Sequence, residues 1–138
     1  MTTTGFDYVI TRTLEAPVEQ VWAAWTRADR YAQWASAEEV VLDVRAGGAW
    51  SSVMVIPGGT RVPLSGRYTE VVENKRLVIG MNVPGREELA IMTLDLAAEG
   101  DHTRITLSQT LGSVEERDQS EFGSNMLLDG LTAFLSAA

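Results

Sequence analysis

The segment "APVEQVWAAWTRADRYAQW", residues 16–34, carries two helical patterns separated by a short break. Pro17 suits the first turn of a helix, because its missing N–H would have no partner there in any case. Apolar residues then recur at steps of three and four, at Val18, Val21, Trp22 and Trp25. This spacing predicts an amphipathic helix over residues 17–26. After a break near residues 27–29, "ADRYAQWA" predicts a second short helix.

Strand-like patterns surround these two helices. The run "FDYVITRTLE", residues 6–15, alternates and places Ile10, Arg12 and Leu14 on one face. From about residue 38 the period is again two, and six more strands are predicted in "EVVLDV", "AWSSVMVI", "VPLSGRYTEVV", "KRLVIGMNV", "ELAIMTLDLAA" and "TRITLSQTL". The breaks between these six runs are short and rich in turn residues, which favours hairpins and an antiparallel sheet.

The final segment, residues 114–137, lacks proline and predicts a long helix. Its apolar stripe consists of Leu127, Leu128, Leu131, Phe134 and Leu135. A twisted sheet of seven strands would curl around such a helix, which must cover the concave face. Residues 1–138 are therefore predicted to form a single α+β domain.

Composition excludes several classes of function. The net charge of −8 should repel nucleic acid, and no apolar run approaches the ~20 residues of a membrane span. The N-terminus does not resemble a signal peptide, so a cytoplasmic protein is expected. There is no cysteine, and the one histidine, His102, lies in a predicted turn. No metal site, cofactor or catalytic residue is predicted.

Five short motifs resemble the START-like (SRPBCC, helix-grip) superfamily. They are Ala16-Pro17 with Glu19, Val21-Trp22 and Thr26; Trp34; Gly47-Gly48 with Trp50; Gly66, Tyr68, Glu70 and Val71; and Thr103, Ile105 and Leu107. More narrowly, they resemble the branch named for homologues of the activator of the heat-shock-protein-ninety ATPase. The resemblance spans nearly the whole chain and implies the same seven-stranded helix-grip fold. It is specific for the fold rather than for a function.

The sequence departs from that branch at one position. The branch usually has Gly-Trp where the last helix crosses the sheet, whereas here Gly123 is followed by Ser124. A serine there should leave more room unless another side chain fills it.

The resemblance implies a cavity between sheet and helix that holds a small hydrophobic or amphipathic molecule. Strand alternation and helical spacing then predict which side chains face it. The predicted cavity residues are Arg12, Trp50, Ser52, Met54, Tyr68, Met81, Met92, Leu94, Gln109, Glu121, Ser124, Asn125 and Leu128. The last helix becomes smaller and more polar towards its N-terminus, which suits a cavity with an apolar floor and a wetter mouth.

Several of these side chains also have a purely structural interpretation. Trp50 is either core or cavity wall, and the Tyr68 hydroxyl binds either a ligand or a nearby carbonyl. Trp22, Trp25 and Trp34 are predicted to seal one end of the sheet rather than to bind a ligand.

Arg12 has an inward and an outward interpretation. On an inward face it needs a partner, either Glu121, Asp129 or a ligand carboxylate. Facing outward, it would be a solvated charge.

Three functions from different classes remain open. A small-molecule binding protein is favoured. A polyketide cyclase or dehydratase would need an acid–base pair in the cavity, with Arg12, Glu121, Tyr68 and Asp129 as candidates. A regulator of a chaperone ATPase is the third, and a homodimer is among the assemblies that the sequence allows.

Overall fold

A computed structural model describes residues 7–35, 37–55, 58–82, 85, 87, 89–111 and 113–137. The elements in chain order are β1 (Asp7–Leu14), α1 (Val18–Thr26), α2 (Ala28–Trp34), β2 (Ala37–Leu42), β3 (Ala49–Val55), β4 (Arg61–Val72), β5 (Arg76–Met81), β6 (Ala90–Glu99), β7 (His102–Thr110) and α3 (Val114–Ala137). This confirms the predicted order of strands and helices. Predicted strand ends at residues 6, 56, 83 and 88 lie outside the described residues.

All seven strands form one curved antiparallel sheet in the order β1-β7-β6-β5-β4-β3-β2. Strands β2 to β7 follow one another as hairpins, and β1 pairs with the last strand along its whole length, from Asp7↔Thr110 to Leu14↔Thr103. The predicted antiparallel helix-grip fold is therefore confirmed. His102 lies at the start of β7 and is exposed.

Helix α3 buries its apolar stripe against the sheet. Leu128 and Leu131 are completely buried, in one cluster with Leu94, Ile105 and Leu107 of β6 and β7. Burying one such leucine stabilises the fold by about 1.5–3 kcal/mol. Leucine burial thus holds the C-terminal half of α3 against the sheet. The side chains that its N-terminal half turns towards the sheet are smaller and more polar.

Helices α1 and α2 close one end of the sheet. The indole Nε1 of Trp34 donates to the Ala24 carbonyl at 2.8 Å and ties α2 to α1. Gly130 of α3 passes so close to α2 that an added Cβ would lie 2.8 Å from the Trp34 carbonyl oxygen. Within the described residues, none of the helices is both long and apolar enough to span a membrane.

Candidate functional site

A cavity of about 350 Å³ lies between the sheet and the N-terminal half of α3. The sheet contributes aliphatic and thioether side chains to it: Met54, Leu64, Ile79, Met81, Ala90 and Met92. Helix α3 contributes Ser120, Gly123, Ser124 and Leu127, which follow one another at helical spacing. The volume lies within the range of small-molecule sites.

Three aromatic side chains complete the apolar wall: Trp25, Tyr31 and Trp50. The rings of Trp25 and Tyr31 both pack edge-on against Trp34, with centroid distances of 4.8 and 5.2 Å. Trp34 is therefore a buried support, and Trp25 and Tyr31 reach the cavity. The prediction that Trp25 seals the end of the sheet and is not part of the cavity is wrong, because its side chain belongs to the cavity lining.

Trp50 is fixed across the neighbouring strand. Its Nε1 donates to the Gly80 carbonyl at 3.0 Å, two strands away in the sheet. Gly66 stands opposite Trp50 on the intervening strand. A Cβ on Gly66 would lie 1.8 Å from the Gly80 oxygen, so this part of the sheet requires glycine. The indole N–H of Trp50 is thus satisfied by the protein, and its ring serves as wall.

Two polar side chains of the cavity lining, Gln109 and Ser124, are joined through Tyr8. Tyr8 donates from its hydroxyl to Oε1 of Gln109 at 2.6 Å. The same hydroxyl lies 2.7 Å from Oγ of Ser124. Tyr8 is buried, and Gln109 and Ser124 line the cavity. These three hydrogen-bonded side chains form the Tyr8–Ser124–Gln109 cluster.

The described part of the cavity lining carries no charged side chain. Among the described residues that line it there is no Asp, Glu, Lys, Arg or His. Burial raises the pKa of Tyr31 to about 12. Burial also raises the pKa of Tyr8, with a further contribution from nearby Glu121, against the opposing effect of the hydrogen bond to Ser124. These tyrosines therefore remain protonated at neutral pH.

Arg12 faces α3 but lies outside the cavity lining. Its Nη1 contacts Oδ1 of Asp129 at 2.6 Å, and its Nη2 donates to Oδ1 of Asn125 at 3.0 Å. Asp129 was one of the partners considered from the sequence. Because Asp129 is 68% exposed, the pair lies at the rim of the sheet–helix interface rather than in its core.

The structure brings together part of the predicted cavity set. The predicted residues that line the cavity are Trp50, Met54, Met81, Met92, Gln109 and Ser124. The others lie outside the lining: Arg12, Ser52, Tyr68, Leu94, Glu121, Asn125 and Leu128. Leu94 and Leu128 are fully buried core, and Asn125 is held by Arg12. Tyr68 is buried beside Tyr31 and Asp43, and its pKa is raised, first by burial and then by these two groups.

Sequence reasoning missed several lining residues: Trp25, Tyr31, Leu64, Ile79, Ala90, Ser120, Gly123 and Leu127. Alternation from Met92 would have given Ala90, and helical spacing from Ser124 would have given Ser120 and Leu127. Tyr8 was missed as well, although it lies two residues before Ile10 on the same face of β1.

Comparison with known proteins agrees with this architecture. The family model described as "Activator of Hsp90 ATPase homolog 1-like protein" matches residues 15–136. No match was found among curated proteins.

Solved structures show the same fold. A protein from Nitrosomonas europaea is 23% identical, with a TM-score of 0.80 over 99% of this chain and 97% of that one. A protein from Chromobacterium violaceum is 23% identical, with a TM-score of 0.79 over 94% of this chain and 96% of that one. CalU16 from Micromonospora echinospora is 28% identical, with a TM-score of 0.75 over 94% of this chain and 76% of that one.

Proposed function

The chain belongs to the Activator of Hsp90 ATPase homolog 1-like family, of the START-like type, and we propose that it binds a small hydrophobic or amphipathic molecule between the sheet and α3. The observation that carries this proposal is the cavity of about 350 Å³, whose described lining is apolar and aromatic apart from Gln109, Ser120 and Ser124. Such a composition suits a guest with a large apolar body and few polar atoms.

The three methionines of the wall support the same function. Met54, Met81 and Met92 come from three different strands and meet on the cavity. Thioether side chains are flexible and polarisable, so they adapt to the shape of a guest and contact aromatic rings favourably. Trp25 and Tyr31, which also line the cavity, offer flat aromatic surfaces to the same guest.

A cyclase or dehydratase would need an acid–base pair in this cavity. Of the described residues, the lining side chain that titrates is Tyr31, and its pKa of about 12 keeps it protonated at neutral pH. Arg12 and Asp129, two of the candidates considered from the sequence, are paired with each other instead. This electrostatic environment favours binding over acid–base chemistry.

Calorimetric titration with a neutral hydrocarbon, 2-isopropylnaphthalene, tests the proposal. We expect saturable binding to one site in the wild type, and much weaker binding to Ser124→Trp, whose indole would occupy the cavity. Phe122→Trp is the matched control, since Phe122 is 68% exposed on α3. Absence of binding to the wild type would refute the cavity as a site for guests of this size and favour a protein-interaction role.

A further inference from the structure

The hydrogen-bond direction in the Tyr8–Ser124–Gln109 cluster is fixed by counting protons. The single phenolic proton of Tyr8 is donated to Oε1 of Gln109. The contact between Tyr8 and Ser124 must therefore use the proton of Ser124. The chain of bonds thus runs from Ser124 through Tyr8 to Gln109, and it orients the Gln109 carboxamide with its oxygen towards Tyr8.

That orientation leaves the Gln109 amide nitrogen as a donor. Among the described residues, no protein group accepts a hydrogen bond from Nε2 of Gln109. Among the described residues, two side-chain nitrogens are fully buried and lack a hydrogen-bond acceptor, and they belong to Trp25 and Arg76. The Gln109 nitrogen is not one of them, so it is not fully buried and can be reached. Gln109 lines the cavity, where a guest would meet this nitrogen.

The charge environment restricts what such a guest can carry. The described lining holds no cation to neutralise an acid, and Arg12 of β1 is engaged by Asp129 and Asn125. Glu121 lies close enough to raise the pKa of Tyr8, and the whole chain has a net charge of −8. A buried carboxylate without a partner is strongly disfavoured.

We infer that the guest is uncharged and presents an acceptor oxygen, such as a ketone or amide carbonyl, to the Gln109 amide nitrogen. This inference rests on the proposed function and adds which kind of guest the cavity selects. Gln109 is the binding residue, and Tyr8 is a positioning residue that acts through it. The apolar body of the guest then lies against the methionines and aromatic rings.

Three probes of matched size separate the possibilities in calorimetric titrations. They are 2-acetylnaphthalene with a carbonyl, 2-isopropylnaphthalene with no acceptor, and 2-naphthoate with a negative charge. In the wild type we expect the ketone to bind about threefold to tenfold more tightly than the hydrocarbon, as one neutral hydrogen bond would provide. The naphthoate should bind more weakly than both.

Variants assign that difference to Gln109. Gln109→Met keeps the length of the side chain and removes the donor, so ketone affinity should fall to that of the hydrocarbon while hydrocarbon affinity is retained. Tyr8→Phe frees the Gln109 carboxamide to rotate, so it should partly reduce the ratio of ketone affinity to hydrocarbon affinity. Gln119→Met, an identical change on the exposed face of α3, should leave the ratio unchanged.

Each outcome has a distinct consequence. Equal binding of ketone and hydrocarbon to the wild type, or tightest binding of the naphthoate, would overturn the inference and leave the proposed function standing. A ketone preference that survives in Gln109→Met would also overturn it. Failure of all three probes to bind the wild type would refute the proposed function and the inference together.

Discussion

At the scale of single residues, Ser124 is the position that decides how much space the cavity has. Its side chain is buried, lines the cavity and bonds to Tyr8. Filling this position therefore exchanges one hydrogen bond for apolar burial. The balance of the two can be measured directly.

We expect Ser124→Trp to raise the melting temperature and to weaken binding of neutral naphthalenes. The buried indole should contribute about 1.5–3 kcal/mol, and the lost hydrogen bond should cost about 0.5–1.5 kcal/mol. Tyr8 retains its bond to Gln109, so no buried hydroxyl is left unpaired. A lower melting temperature with unchanged probe binding would show that the position is already packed.

Arg12 provides a second prediction at this scale. From the sequence alone, Arg12→Met is expected to leave an isolated carboxylate partner if Arg12 faces inward, which would lower the stability of the fold by about 3–5 kcal/mol. Because Asp129 is 68% exposed, water solvates it once the arginine is removed. We now expect a loss of stability of about 1 kcal/mol, decreasing with added salt.

Urea unfolding of Arg12→Met, Asp129→Asn and the double variant would measure the coupling between the two side chains. Affinity for 2-isopropylnaphthalene should not change in any of them, since neither residue lines the cavity. A loss above ~3 kcal/mol, or weaker probe binding, would contradict this account.

At the scale of elements, helix α3 contains two glycines in opposite environments. A Cβ on Gly123 would meet nothing within 4 Å, whereas one on Gly130 would lie 2.8 Å from the Trp34 carbonyl oxygen. The first glycine borders the open cavity, and the second permits the close crossing of α2 and α3. Replacing glycine by alanine should therefore have opposite effects on stability at the two positions.

Gly123→Ala should stabilise the protein by about 1 kcal/mol, because alanine has the higher helix propensity. Gly130→Ala should destabilise it by about 1–3 kcal/mol, because backbone atoms must move apart. Paired thermal and urea melts of the two variants check both signs. The account of helix packing fails if Gly130→Ala is as stable as the wild type.

The elements themselves could be predicted from the sequence, since periods of two and 3.6 are local properties. The strand faces followed as well, so Met54, Met92 and Gln109 could be placed on the inner surface. Trp25 could not be assigned in this way, because helical spacing alone does not show which part of the sheet a helix packs against. The same limit kept the partner of Arg12 open.

At the scale of the whole molecule, all three tyrosines have a raised pKa, chiefly because of burial. For Tyr31 the folded-state pKa is about 12, against the ordinary tyrosine value of 10.0. The folded state therefore holds this proton more tightly than the unfolded state. The stabilisation that follows from the raised pKa of Tyr31 is fully present below pH 10.0 and is lost as the pH rises towards 12.

We expect Tyr31→Phe to lose less stability than the wild type between pH 10.0 and 12. The difference should be about 1–3 kcal/mol, since each unit of pKa corresponds to about 1.4 kcal/mol. Urea unfolding at a series of alkaline pH values measures it. Parallel stability–pH curves for the two proteins would show that Tyr31 is solvated rather than buried.

The most direct test of ligand binding uses the methionine methyl groups as reporters. Met54, Met81 and Met92 line the cavity, whereas Met126 is 53% exposed on α3. We titrate methyl-labelled protein with 2-acetylnaphthalene and follow the NMR chemical shifts of the methionine methyl groups. We predict that the three cavity methyls shift saturably with one common Kd and that the Met126 methyl does not shift. Unmoved cavity methyls, or a shift at Met126 alone, would contradict the account.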